Sequence, residues 1–234
     1  MIEGRSVLGL VTARGGSQAL VGKNLRNLGD KPLVLWVIEA AQASVRIDRL
    51  ILSSDDPEII SAAKDAGCEA PFVRPANLAT NQARSIDVAH HAVSELAEAY
   101  DFVALLQPTS PLVAPQDIDG AIDRCQSTGA PSCVTVSKVD KHPAWMFRLS
   151  PDMELLALST SQARPSQRQG LESVYALNGA VFVAQRDWLM ASDDFIGPET
   201  VGYEMPKERS IDIDTPLDLV IADAILKSTV DGPV

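Results

Sequence analysis

The sequence predicts an α/β fold, with a mostly parallel sheet flanked by helices. Three observations carry this. Short apolar runs alternate with helix-spaced segments from residue 6 to residue 136. The runs lack polar alternation, as expected of strands buried on both faces. The composition is that of a globular chain, with 234 residues, 46% of them hydrophobic and 22% charged. A chain of this length buries about 70% of the surface its unfolded form exposes. A single domain over residues 1–234 is therefore expected.

The elements follow in order. Ser6 to Thr12 is an apolar run closed by the polar stretch Ala13 to Gly16, a buried strand feeding a glycine loop. Pro32 to Ser44 reads as a helix with proline in its first turn. Leu50 to Ser53 is a second strand. Asp55-Asp56-Pro57-Glu58 supplies a cap, a proline and an early acid, and starts a helix that runs to about Ala66 and stops at Gly67. Pro71 to Val73 is expected as a third, very short strand. From Arg84 to Tyr100, Ile86, Ala89, Val93, Leu96 and Ala97 fall on one helical stripe. Phe102 to Leu106 is the next strand, Pro115 to Ser127 a helix, and Cys133 to Val136 another buried strand.

The pattern changes after Ser137. Lys141 to Leu149 and Glu154 to Leu158 read as irregular or antiparallel segments, and Gln162 to Gly170 is polar. Ser173 to Ala184, with its apolar run Gly179 to Val183, is expected to belong to the same excursion from the main sheet. Ile211 to Asp214 reads as a strand end and Pro216 to Leu226 as a closing helix, with a mobile tail from Ser228 to Val234.

The chain holds 20 basic and 31 acidic residues, a net charge of −11. That excludes a broad basic face for nucleic acid or an anionic membrane, though a pocket inside an acidic protein can still be locally basic. No apolar run approaches the roughly 20 residues that span a bilayer. Met1 to Gly4 lacks the features of a signal peptide, and Cys68, Cys125 and Cys133 are scattered core fillers. A cytoplasmic location is expected. His90 and His91 are adjacent on a helix, so they point about 100° apart and do not serve one metal.

Ligands of parallel sheets bind beyond the carboxyl ends of the strands. The loop after Thr12 reads Ala13-Arg14-Gly15-Gly16-Ser17-Gln18-Ala19-Leu20-Val21-Gly22-Lys23-Asn24. Its glycines let backbone N–H groups approach a phosphate, and Arg14 and Lys23 bracket it with positive charge. It is not a P-loop, because Asn24 stands where a Ser or Thr would hold magnesium. Asp212 and Asp214 lie two apart, so in an extended segment both point to one face. A carboxylate pair with room for waters suits magnesium, and a solvated loop pair is the alternative. Asp218 reads as a cap of the closing helix.

The run ARGGS followed by GKN resembles the signature of the acylneuraminate cytidylyltransferases. Further segments match in the same order: Arg74 to Ala79 with Ser85, Leu105 to Pro111 (LLQPTSP), Asn178-Gly179-Ala180, and Asp212 to Asp218 (DIDTPLD). The resemblance implies a Rossmann-like nucleotidyltransferase with a dimerisation arm at about residues 138–175, acting as a homodimer. It implies transfer of CMP from CTP to a nonulosonic (sialic acid-like) 2-keto-3-deoxy sugar acid, with magnesium and release of pyrophosphate. Arg14, Lys23 and Asp214 would be catalytic. Arg14, Gly15, Gly16, Ser17, Lys23 and Asn24 would hold the nucleotide, with Arg74 and Ser85 reading cytosine or ribose. Gln107, Arg168 and Asn178 would hold the sugar acid, and Asp212 and Asp214 the metal. Arg164 competes with Arg168 for the sugar carboxylate, and Asn178 either bonds substrate or braces its loop. Thr109 and Ser110 read equally as turn residues or ligands. Tyr175 and Phe182 read as core.

This chain departs from the family pattern at Gln18, Ala19 and Val21 in the loop, at Asn81 and at Pro165. Those departures bear on the base and the sugar. The alternatives are a nucleotidyltransferase using another base, such as GTP, and a nucleotide-binding relative without turnover.

Overall fold

The computed structural model describes residues 4–17, 20–158 and 172–230. Among these the strands are β1 (Val7–Thr12), β2 (Asn27–Leu28), β3 (Lys31–Pro32), β4 (Arg49–Ser53), β5 (Phe102–Leu106), β6 (Ser132–Lys138), β7 (Phe147–Leu149), β8 (Leu155–Ala157), β9 (Tyr175–Gln185) and β10 (Val201–Glu204). The helices are α1 (Leu33–Gln42), α2 (Pro57–Asp65), α3 (Ser85–Glu95), α4 (Pro115–Thr128), α5 (Arg186–Ala191) and α6 (Pro216–Val230). The main sheet runs β10-β6-β9-β5-β1-β4. β1 pairs in parallel with β4 and β5, and β6 with β10, while β9 runs antiparallel to both β5 and β6.

The apolar runs form strands because both faces are covered. Along β1, Val7 and Val11 join one buried cluster and Leu8 and Leu10 the other. β5 alternates likewise, with Phe102, Ala104 and Leu106 on one side and Val103 and Leu105 on the other. Each such side chain contributes about 1.5–3 kcal/mol on burial. α1, α2 and α4 cover the first face, and α3 and α5 the second.

Helix ends follow their sequence signals. Asp56 caps α2, its Oδ1 accepting from Glu58 N at 2.8 Å and Ile59 N at 3.2 Å. Gly67 follows with a φ of +79°, which ends the helix. Asp218 Oδ2 accepts from Thr215 N and Oγ1 and from Asp214 N, so it caps α6.

Several expectations are corrected. Pro71 to Val73 is a loop, not a strand; proline has no N–H for a ladder, and Glu69 instead bridges Ile51. α3 ends at Glu95, well before Tyr100. Leu96 turns extended, and Leu96 and Tyr100 reach the core from a loop, which extended the apolar spacing past the helix. Ser173 to Ala184 is no excursion, because β9 lies between β5 and β6 in the sheet. Ile211 to Asp214 is irregular chain, not a strand end. Tyr175 is exposed, whereas Phe182 packs against the core. Lys141 to Leu158 does leave the main sheet, and its β7–β8 hairpin is a separate antiparallel pair. No helix among the described residues is long and apolar enough to cross a membrane.

Candidate active site

A cleft of about 350 Å³ opens at the carboxyl ends of β1 and β5. Thr12, Arg14 and Ser17 come from the loop after β1, and Gln107, Pro108 and Thr109 from the loop after β5. Arg74 and the stretch Leu78 to Ala83 form one wall with Ser85 and Val88 of α3. Lys23, Asn24, Asp212 and Asp214 complete the lining.

The glycine loop is held from behind by the Asp55 carboxylate, with Asp56 packed close against it. Gly15 N donates to Asp55 Oδ1 at 3.1 Å. A Cβ on Gly15 would lie 2.4 Å from Asp56 Oδ2, the carboxylate that caps α2. A Cβ on Gly16 would meet nothing within 4 Å. Gly15→Ala is therefore expected to push Asp56 off its cap, destabilising the fold by about 1–2 kcal/mol. Gly16→Ala is expected to leave the melting temperature unchanged. Melting curves of the two variants check this contrast.

Asn24 is buried, and its Nδ2 donates to Arg14 O at 2.8 Å, fixing the loop's entry. Gly22, with φ +66°, starts the 3₁₀ turn Lys23–Leu25 and turns Lys23 inward. Lys23 Nζ donates to Ile213 O at 2.9 Å and Asp214 Oδ1 at 3.0 Å. Two segments 190 residues apart thus meet at one ammonium.

Arg74 is a buried cation, not a surface one. Its Nε donates to Ser53 Oγ at 3.0 Å, and Nη2 donates to Ser53 O. Desolvation pushes its pKa down to about 10, with Asp55 opposing and Arg14 adding to the fall. It stays charged at neutral pH. Ser85 lines the cleft as the first residue of α3, but Arg84 holds the cap position, so Ser85 is not the cap.

Asp212 and Asp214 share the cleft, as their spacing predicts. Asp212 is an exposed residue, and partial desolvation at the cleft wall raises its carboxyl. The Thr109 hydroxyl bond lowers it and the Asp214 charge raises it. The Asp218 carboxyl is lowered: desolvation pushes it up, and the Thr215 and Asp214 bonds outweigh that. Thr109 therefore acts on a site carboxylate, and its carbonyl accepts from Ile213 N at 2.7 Å. Ser110 is fully buried away from the cleft.

Asn178 is not among the cleft-lining residues. Its Oδ1 accepts from Thr135 Oγ1 at 2.6 Å and Ala180 N at 3.2 Å, and its Nδ2 donates to Ser210 Oγ at 3.0 Å. It braces β6, β9 and the chain before Asp212, the second of its two expected roles. Arg164, Pro165, Arg168, Gln18 and Ala19 lie outside the described residues.

Asp212 and Asp214 fit magnesium as a donor set: two hard oxygen ligands beside space for phosphates and waters. Among the described residues there is no cluster of three or more His, Cys, Asp or Glu suited to a metal. Burial pushes the thiols of Cys68, Cys125 and Cys133 up to about 12, so none is a ready nucleophile.

An α/β sheet with a glycine loop, three cations and a carboxylate pair at its carboxyl edge defines a nucleotidyltransferase. Residues 8–176 match the family described as Cytidylyltransferase, and the chain belongs to it. It is 31% identical to the CMP-N,N'-diacetyllegionaminic acid synthase of Legionella pneumophila, over 94% of this chain and 96% of that one. It is 31% identical to the pseudaminic acid cytidylyltransferase of Campylobacter jejuni, over 93% and 95%. It is 32% identical to the N-acylneuraminate cytidylyltransferase of Escherichia coli, over 94% of this chain but only 52% of that longer protein. Among solved structures, the CMP:2-keto-3-deoxy-manno-octonic acid synthetase complexed with CTP shares the fold, with a TM-score of 0.71 and 17% identity over 96% and 99% of the two chains.

Proposed function

We propose that this chain transfers CMP from CTP to a nonulosonic 2-keto-3-deoxy sugar acid, releasing pyrophosphate. The observation that carries this is the meeting of Lys23 with Asp214 beside the glycine loop. It sets a cation and the carboxylate pair on one cleft, in a chain aligned nearly end to end with the legionaminic and pseudaminic acid enzymes.

The sugar's anomeric hydroxyl attacks the α-phosphorus. An O–P bond forms as the hydroxyl gives up its proton to water, the bond to the bridging oxygen breaks, and pyrophosphate leaves with the electron pair. Such a transfer depends on positioning and charge stabilisation. The Gly16 amide and the Ser17 hydroxyl meet the phosphates, Arg14 polarises the α-phosphate, and Lys23 offsets charge on the leaving group. Arg74 and Ser85 read the base or ribose, Gln107 orients the sugar acid, and Arg168 or Arg164 takes its carboxylate. Asp212 and Asp214 would hold magnesium, which supplies charge neutralisation on the phosphates.

The arm reading extends to assembly. Leu149, Met153, Leu155 and Leu156 on the β7–β8 hairpin expose their side chains, as does Leu177 at the start of β9. A second copy of this chain would cover them, giving a homodimer in the cytoplasm. Sedimentation checks the dimer.

The reaction is tested by magnesium-dependent pyrophosphate release, with CTP, GTP, UTP and ATP each paired with sialic, legionaminic, pseudaminic and 2-keto-3-deoxy-octonic acids. Release with CTP and one nine-carbon acid is expected. Release with GTP would overturn the base, and nucleotide binding without release would overturn turnover.

A further inference from the structure

The chain that carries Asp212 and Asp214 has no regular structure, yet the proposed chemistry needs both carboxylates fixed. Besides Lys23, which bonds Ile213 O and Asp214 Oδ1, a second charged tether lies three residues upstream of Asp212, outside the cleft lining. Arg209 ends the 3₁₀ turn Lys207–Arg209. Its Nε and Nη2 donate to Asp117 Oδ2 and Oδ1 at 2.7 and 2.8 Å, a two-pronged fork. Asp117 is fully buried in the first turn of α4, and its Oδ2 also accepts from Ala114 N at 3.0 Å.

That anchor point is rigid. α4 packs on β6, β9 and β10. The Tyr203 ring of β10 fills the space a Cβ on Gly120 would need, 2.4 Å away. Past Arg209, Ser210 Oγ accepts from Asn178 and donates to Pro206 O, and Ile213 N donates to Thr109 O. These later tethers are neutral, and among the described residues only the fork joins the segment to α4 through charge. A buried ion pair is a weak stability device, since a neutral pair of similar shape often serves as well. What the fork adds is direction and register.

We propose that the Arg209–Asp117 pair is a positioning device that sets the Asp212–Asp214 carboxylates against Lys23. Its catalytic consequence rests on the reaction proposed above; its structural content does not.

The test is the neutral double variant Asp117→Asn/Arg209→Met, with Arg209→Lys as a second probe that keeps the charge and loses the fork. Amide exchange is read by mass spectrometry on the free proteins. In the double variant, exchange across Ile211 to Thr215 is expected to rise about tenfold, while β1 and β5 stay protected. In the turnover assay, kcat is expected to fall about tenfold, with a raised magnesium half-saturation and a smaller change in KM for CTP. Arg209→Lys is expected to melt near the wild type and still exchange faster over the segment. Wild-type exchange over Ile211 to Thr215 in both variants would overturn the proposal. Faster exchange in a protein whose wild type releases no pyrophosphate would keep the positioning and remove the reaction.

Discussion

Replacing Lys23 with methionine is expected to lower kcat about 10³-fold, the scale of removing one preorganised charge partner from a transition state. Among the described residues, Lys23 is the one side chain that bonds the carboxylate segment from the loop after β1 (2.9 Å to Ile213 O, 3.0 Å to Asp214 Oδ1). Its side chain is only 13% exposed, so its charge acts where water screens weakly. Charge builds on the leaving pyrophosphate mainly in the transition state, so the loss should fall on kcat more than on KM for CTP. The fold loses one bond to a backbone carbonyl, worth about 1 kcal/mol. For a chain of this size that shifts the melting temperature by about 2–4 °C. Folded protein with little turnover is the expected result, and a kcat within tenfold of the wild type would remove Lys23 from the mechanism. Lys23→Arg should fall between, since a guanidinium keeps the charge but not the compact head.

Strands buried on both faces announce themselves as continuous apolar runs, so β1, β4 and β5 were legible with nearly their observed bounds. β9 was not. Its run Gly179 to Val183 looks like those of β1 and β5, but nothing in a sequence says that a strand reached after a long excursion returns to the middle of the sheet. β10 (Val201–Glu204) escaped notice because it is a short, half-exposed edge strand with a glycine in it. α3 was overdrawn because Leu96 and Tyr100 pack from a loop at spacings a helix would also give.

The site was legible where a motif fixes both position and direction. Arg14, Ser17, Lys23, Asn24, Arg74, Ser85, Gln107, Asp212 and Asp214 all line one cleft. Asn178 lies off that lining for a local reason. Pairing between β6 and β9 shifts register between Val134 and Val136. A bulge changes which face a side chain takes, and here Thr135 Oγ1 accepts from Val181 N while Asn178 turns to meet that hydroxyl. Asp55 and Asp56 were read only as the start of α2. The Asp55 bond to Gly15 and the close approach of Asp56 depend on β1 and β4 lying side by side, a relation absent from either segment alone.

Asp212→Asn is expected to abolish most turnover, by about 10²–10³-fold, and yet to raise the melting temperature of the metal-free protein at pH 7. The Asp212 carboxyl is raised above its ordinary value, chiefly by desolvation and also by the Asp214 charge. A raised acid is held more tightly as the neutral form in the folded state, so ionising it costs stability. That cost is absent well below the ordinary carboxylate range, grows as pH rises through it, and is complete above the raised folded value. The asparagine variant never ionises, so its advantage should vanish near pH 3 and persist from pH 6 to pH 8 in chelator. Magnesium with CTP should reverse the order. A ligand held at ten times its Kd stabilises the wild type by about 1.4 kcal/mol, and a protein lacking one carboxylate captures little of this. Melting curves of both proteins with chelator, then with magnesium and CTP, read the crossing directly. If Asp212→Asn melts below the wild type in chelator at pH 7, the carboxylate is not an electrostatic load on the fold. If added magnesium and CTP shift the two proteins equally, Asp212 does not hold the metal.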